Sequence, residues 1–165
     1  MIISMKLNEL DINNIIINEK IKNKVLNSSD FYRIIYSDQT SSISGIFLIF
    51  SLENVILEKY FNKIKCSIAK TEENIKNISL VQNIEKTIML KYENNTQKIP
   101  VYRISEQLNQ FFIKLYGNDN IELKNYSKIN FLLKISGIWD SDETKDYGLT
   151  FRFFIFNNLS EDVLE

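Results

Sequence analysis

The residues best suited to chemistry in this sequence are aromatic rings that alternate with lysine or arginine. In residues 111–116, strand alternation places Phe112, Lys114 and Tyr116 on one face. The same spacing places Arg152 beside Phe154 near the end of the chain. Flat rings stack on unpaired bases, and neighbouring cations neutralise phosphates. The pattern therefore predicts a surface suited to a single-stranded nucleic acid.

The same pattern has a second interpretation, in which both faces of these strands are buried. Aromatic residues are found more often in cores than on surfaces. One face would then lie under a helix and the other under the N-terminal segment, with the cationic ends extended to solvent. Periodicity alone leaves both interpretations open.

Two absences in the composition exclude most catalytic and metal chemistry. The chain has no His and a single Cys, Cys66. A structural zinc site needs about four Cys or His ligands, and a Ser or Cys nucleophile most often relies on a His base. Alternation around Cys66 predicts a core position instead. We therefore expect a protein that is not an enzyme and needs no cofactor.

An acidic loop near the end of the chain invites a metal interpretation. Oxygen-bearing side chains occupy alternate positions there: Asp140, Asp142, Thr144 and Asp146. A calcium loop would need Gly at Lys145 and Glu at Phe151, so we prefer a solvated hairpin loop. The pair Asp140 and Asp142 leaves a metal-dependent nuclease as a distant third functional class.

The cellular setting follows from the same composition. One cysteine supports no disulfide framework, and no apolar stretch reaches the length of a secretory signal or a membrane span. We therefore expect an intracellular protein with no membrane partner.

One segment has clear helical periodicity. Thr71 is a plausible N-cap, followed by Glu72 and Glu73, whose carboxylates suit the start of a helix. An apolar stripe then recurs every three or four residues and ends near Tyr92: Ile75, Ile78, Val81, Ile84 and Ile88. This stripe predicts a long helix packed on a sheet.

Strand-like segments lie on both sides of that helix. Residues 31–36 and 44–50 read as a strand pair, and alternation of Ile64, Cys66 and Ile68 favours another strand. After the helix we expect strands at 101–104 and 111–116, then a hairpin of 129–139 with 147–156; residues 7–24 are ambiguous between strand and helix. The fold class is therefore α+β and mainly β, an antiparallel barrel or sheet with one long helix and added strands. This order of elements matches an OB-fold, although many α+β folds share it.

Charge divides the chain unevenly. Residues 1–139 carry 18 basic and 14 acidic side chains, whereas residues 140–165 carry two basic and seven acidic ones. We expect one domain over 1–158, with 1–29 as an N-terminal extension and 159–165 as a short acidic tail. Such a tail can compete with an anionic partner for a basic surface, although on charge alone we prefer the simpler explanation of an uneven solvated surface.

Five strings carry a resemblance to a known protein group. Residues 30–37 read DFYRIIYS and are followed by GIF at 45–47, and residues 58–66 read EKYFNKIKC. Residues 131–139 read FLLKISGIW, and residues 147–153 read YGLTFRF. Together they resemble a group of viral single-stranded DNA-binding proteins of the OB-fold kind, found in large DNA viruses and similar to the replication protein of short-tailed phages.

The resemblance implies that the chain coats unwound DNA at viral replication sites in the host nucleus or cytoplasm. It also implies an acidic C-terminal tail that contacts replication partners, although this tail is short and ends in Glu165 rather than an aromatic residue. The resulting candidate site comprises rings and cations: Phe112, Lys114, Tyr116, Arg152, Phe154, Lys59, Lys63, Lys65, Arg33 and Lys134. The alternative is a structural or protein-interaction subunit, such as a virion component, and the oligomeric state, including a homo-oligomer, stays open.

Overall fold

The computed structural model of the chain describes residues 4–22, 29–93, 97–116 and 121–156, with every side chain in them except those of 19–22 and Tyr116. This part of the chain contains ten strands, two α-helices and two 3₁₀ turns (Leu7–Glu9 and Ile12–Asn14). The strands are β1 (Met5–Lys6), β2 (Ile15–Lys22), β3 (Ser29–Ser37), β4 (Ser42–Ser44), β5 (Ile46–Tyr60), β6 (Lys63–Ile68), β7 (Ile99–Val101), β8 (Phe112–Tyr116), β9 (Asn125–Ser141) and β10 (Asp146–Ile155). The helices are α1 (Glu72–Glu93) and α2 (Arg103–Asn109).

The strands form one open, predominantly antiparallel sheet centred on β9. One edge of β9 pairs with β5 and then with β3, and the other edge pairs with β10. β5 extends beyond β9 to pair with β6, which pairs with β8, so a continuous path runs β8–β6–β5–β9–β10. Two short pairings are parallel, β1 with β5 and β7 with β10. The described residues form no closed barrel, so the prediction of a mainly β, antiparallel architecture is confirmed as a sheet.

The core lies against one face of the central strands. Alternate residues of β5 and β9 point into it, and Phe50 stacks on Phe131 with ring centroids 5.8 Å apart. Phe153 from β10 meets the edge of Phe50 at 6.3 Å. Cys66 is fully buried in this core, as alternation predicted, and burial raises the pKa of its thiol to about 12. We call the opposite face of these strands the outer face.

The predicted pairing of residues 31–36 with residues 44–50 is wrong in its second strand. β3 pairs with the short β4, whereas β5 leaves β3 and pairs with β9. The change of direction occurs at Gly45, whose φ of 92° lies in the left-handed region that glycine adopts without steric cost. The Gly45 N–H donates to the Ile34 carbonyl at 2.8 Å, which fixes this turn.

The long helix is confirmed, and its first turn is capped as predicted. The Asn74 N–H donates to Thr71 Oγ1 at 3.2 Å. The apolar stripe needs correction, because Ile75 is 47% exposed while Asn74 is fully buried. The Asn74 carboxamide accepts from the Glu53 N–H at 2.8 Å and donates to the Glu53 carbonyl at 2.7 Å. The Asn74 side chain therefore points at the edge of β5. Its carboxamide bonds to the main chain of Glu53 as the backbone of a neighbouring strand would.

The predicted strand at 101–104 is wrong beyond Val101, because α2 begins at Arg103. The Glu85 carboxylate from α1 accepts hydrogen bonds from the Ile104 N–H (2.9 Å), the Ser105 N–H (2.9 Å) and the Ser105 hydroxyl (2.7 Å). These donors are the otherwise unpaired groups of the first turn of α2. A side chain that is distant in sequence therefore caps this helix.

The predicted hairpin of 129–139 with 147–156 is confirmed as β9 and β10, and its loop is limited to 142–145. Asp140 is buried at the end of β9 and accepts hydrogen bonds from the Tyr92 hydroxyl and the Lys98 ammonium. Lys98 also contacts Asp142 at 2.6 Å. Among the described residues, no cluster of acidic, Cys or His side chains could hold a metal ion. Neither α1 nor α2 is long and apolar enough to cross a membrane.

Candidate nucleic-acid interface

The outer face of β6 and β8 brings four of the predicted residues together. The register of β6 with β8 places Lys65 opposite Lys114. Ser67, the next outer-face residue of β6, lies opposite Phe112. The ammonium groups of Lys65 and Lys114 lie 5.4 and 5.7 Å from the centroid of the Phe112 ring. Both distances suit cation–π attraction. Lys63 extends the row, and Phe112 is half-buried between its neighbours.

A second group of rings and cations lies on the outer face of β10, β9 and β5. Arg152 pairs with Lys134, and Lys134 pairs with Phe47 on the next strand. The Arg152 guanidinium lies 5.4 Å from the Phe154 ring, and the Lys134 ammonium lies 5.6 Å from the Phe47 ring. Phe47 was missed by sequence reasoning, because only the long-range register of β5 with β9 places it beside Lys134.

A cleft joins the two groups where β8 runs beside β10 without pairing to it. Lys114 from β8 and Arg152 from β10 both line this cleft. The Lys114 N–H donates to Gln107 Oε1 of α2 at 3.2 Å. This N–H on the edge of β8 therefore bonds to a side chain and not to β10. We call this cleft the seam. The rings and cations therefore follow one continuous path across the seam.

The turn between β5 and β6 adds two exposed rings at one end of this path. Phe61 is 82% exposed and Tyr60 is 46% exposed, and their rings meet edge to face at 4.9 Å. Phe61 has a φ of 54°, a left-handed conformation that is unusual for a bulky residue. A positive φ is typical of the two-residue turns that join the strands of a hairpin, such as this one between β5 and β6. The neighbouring string, Lys59 to Lys65, was selected for its cations alone, so these rings were missed.

Three predicted residues lie apart from these ring and cation pairs. Lys59 is exposed, but its register with Ile64 places it on the face opposite Lys63 and Lys65. Arg33 is exposed on β3 opposite Gly137, three residues further along β9 than Lys134. The side chain of Tyr116 lies outside the described residues, although its backbone pairs with Lys63.

The interpretation in which both faces are covered also has partial support. β1 pairs beside Leu48 and Ile49, and the N-terminal segment lines a cleft of about 860 Å³ with Ile49 and Phe156. One end of the outer face is therefore flanked by the N-terminal segment. Lys114 and Arg152 remain exposed at the other end.

Comparisons of the chain with protein families, with curated proteins and with solved structures find no match. The resemblance to viral single-stranded DNA-binding proteins stays a prediction from the sequence strings.

Proposed function

We propose that this chain binds single-stranded DNA with little sequence preference and coats unwound DNA during viral replication or recombination, without catalysing a reaction. The observation that carries the proposal is the path of paired rings and cations along β6, β8, β10, β9 and β5. Every base offers a ring face for stacking, and each base is followed by a phosphate. A surface that alternates rings with cations matches that repeat.

The arrangement of strands supports an OB-like architecture for this surface. In an OB barrel the first strand pairs with the second and the fourth, and the third approaches the fifth. β5, β6, β8, β9 and β10 follow this order, with the seam in the place of the last approach. Both helices lie between the second and third of these strands, whereas an OB-fold usually has its helix after the third. The second and third strands are those that bind oligonucleotides in OB-folds.

A protein-interaction role is the second candidate, because Tyr60 and Phe61 expose a small aromatic surface. The dependence of binding affinity on salt concentration distinguishes the two functions. Nucleic-acid affinity falls steeply as salt rises, whereas an apolar protein contact responds little.

The test is a fluorescence-anisotropy titration with single- and double-stranded oligonucleotides at two salt concentrations. We expect preference for the single strand, and loss of the Phe112 ring (Phe112→Ala) to weaken binding about tenfold. Lys114→Ala should lower the salt slope by about 0.7. Ile75→Ala, an exposed apolar position on α1, is the control and should bind normally. Equal affinity in all three variants, after thermal denaturation has shown that each is folded, would contradict the proposal.

A further inference from the structure

The seam concentrates positive charge from three different elements. Arg103 of α2, Lys114 of β8 and Arg152 of β10 all line it, and none of the described residues that line it is acidic. The cleft measures about 290 Å³. This volume lies at the lower end of the range for ligand clefts, which starts at about 300 Å³, so the seam can admit a small ligand.

Arg103 is held in a geometry that suits an oxyanion. Its guanidinium carbon lies over the Trp139 ring, 4.6 Å from the centroid. A guanidinium placed over a ring face can keep its planar fork of N–H donors available for hydrogen bonds. Such a fork binds two oxygens of a phosphate at once. Among the described residues, no hydrogen bond or ion pair uses these N–H groups.

Two contacts hold the walls of the cleft in place, one of them exposed and the other buried. Gln107 Oε1 accepts a hydrogen bond from the Lys114 N–H, so this N–H does not bond to a carbonyl of β10. Glu85, which is 1% exposed, fixes the first turn of α2, where Arg103 is located. The three cations therefore stand on elements that are positioned without any ligand.

We propose that the seam is a phosphate-binding site that fixes the register of a bound DNA strand. The inference rests on the proposed function for the source of the phosphate, which is either an internal phosphodiester or the phosphate at one end of a strand. Rings along the path stack on any base, whereas the seam holds one phosphate at a fixed place.

The first experiment tests the seam without DNA. Trp139 is the only Trp in the chain and lines the seam, so its fluorescence reports on ligands there. We expect inorganic pyrophosphate to change the emission saturably. Lys114→Gln and Arg152→Gln should each weaken this binding about tenfold, because each removes a charged hydrogen-bond donor. Lys86→Gln, an exposed lysine of α1 outside the seam, is the control and should bind like the unmodified chain. An emission that never changes, or equal affinities in all variants, would overturn the site.

The second experiment separates the two sources of phosphate. Thymidine oligonucleotides with a 5′-phosphate, a 3′-phosphate or neither are titrated by anisotropy against the unmodified chain and Arg103→Gln. An internal phosphodiester predicts equal affinities for the three oligonucleotides and an equal loss in the variant. A terminal phosphate predicts tighter binding of one phosphorylated oligonucleotide and loss of that advantage in the variant.

The outcomes also distinguish failure of the seam from failure of the proposed function. If Arg103→Gln binds all three oligonucleotides normally while Phe112→Ala is weakened, the seam assignment is wrong and the DNA-binding function stands. If no oligonucleotide binds but pyrophosphate does, the seam stands as an anion site and the DNA-binding function is wrong.

Discussion

Phe61 shows most directly what a single residue contributes to the candidate surface. Its ring is 82% exposed, so it makes little contact with the core. Replacing it by Ala (Phe61→Ala) should weaken single-strand binding about tenfold, because one stacking step is lost. The free energy of unfolding should change by less than about 0.5 kcal/mol, as for other exposed positions. Anisotropy and chemical denaturation measure the two quantities.

Ile99 supplies the matched control for this substitution. It is 68% exposed on β7, away from the ring and cation path, so Ile99→Ala removes similar apolar surface at another site. If both variants bind DNA normally, Phe61 has no part in stacking. The exposed rings would then favour the protein-interaction role.

Glu85 is a residue whose ionisation should affect stability. Burial raises the pKa of its carboxyl above the ordinary value of 4.5, although hydrogen bonds from Ser105 and Ile104 oppose the shift. Between the unfolded and folded pKa values, the folded chain binds more protons than the unfolded chain. The contribution of this group to stability is therefore complete below pH 4.5 and is lost as pH rises through the folded pKa.

Glu85→Gln removes this titration and gives the test. The free energy of unfolding of the unmodified chain, minus that of the variant, should fall as pH rises from about 4 through the folded pKa. Urea denaturation at a series of pH values measures the difference. Two parallel pH profiles would show that Glu85 does not titrate in the folded state as its burial implies.

At the scale of elements, two amides of α1 bond to the main chain of β5, and Asn74 makes more of these bonds than Asn77, which donates to the Ser51 carbonyl at 2.8 Å. Asn74 bonds to both main-chain groups of Glu53 and to the Ala69 carbonyl at 2.8 Å. Asn74→Ala would leave these buried groups without partners, so we expect a loss of about 2–4 kcal/mol in the free energy of unfolding. Asn83→Ala, an exposed position on the same helix, is the control and should change stability little. Because Ala favours a helix more than Asn does, helix propensity predicts no loss in either variant. Similar losses in both variants would show that the bonds of Asn74 to Glu53 and Ala69 make no specific contribution to stability.

Elements with local signals could be predicted from the sequence, and those fixed by distant partners could not. Thr71 and the carboxylates after it mark the start of α1, and alternation at Ile64 and Cys66 marks β6. α2 carries no side-chain cap of its own, because Glu85 supplies that role from another helix. Pairing of Phe47 with Lys134 depends equally on long-range register. The sequence therefore indicates the candidate residues strand by strand, but it does not indicate that they meet across the seam.

At the scale of the whole molecule, the acidic end should oppose DNA binding. Residues 159–165 lie outside the described part of the chain, so the expectation rests on charge alone. A tethered anionic segment competes at high effective concentration, and screening weakens it as salt rises. Deleting 159–165 should therefore tighten single-strand binding, most clearly at low salt, in an anisotropy titration.

A charge-neutral tail distinguishes this competition from packing. The triple substitution Glu161→Gln, Asp162→Asn and Glu165→Gln keeps Val163 and Leu164, so it should tighten binding nearly as much as the deletion. Unchanged affinity in both variants, with lower thermal stability in the deletion alone, would show that the tail packs on the protein instead.

The pairing of β5 with β9 also determines when the chain can complete its fold during synthesis. Ser51 and Asn130, which are hydrogen-bonded across this pair, are 79 residues apart in sequence. The edge of β5 that pairs with β9 therefore stays unpaired until most of the chain has left the ribosome. Sheets joined by such distant contacts fold in milliseconds to seconds, and unpaired strand edges promote aggregation during that time. Expression at lower temperature, where hydrophobic association is weaker, should therefore raise the yield of soluble protein.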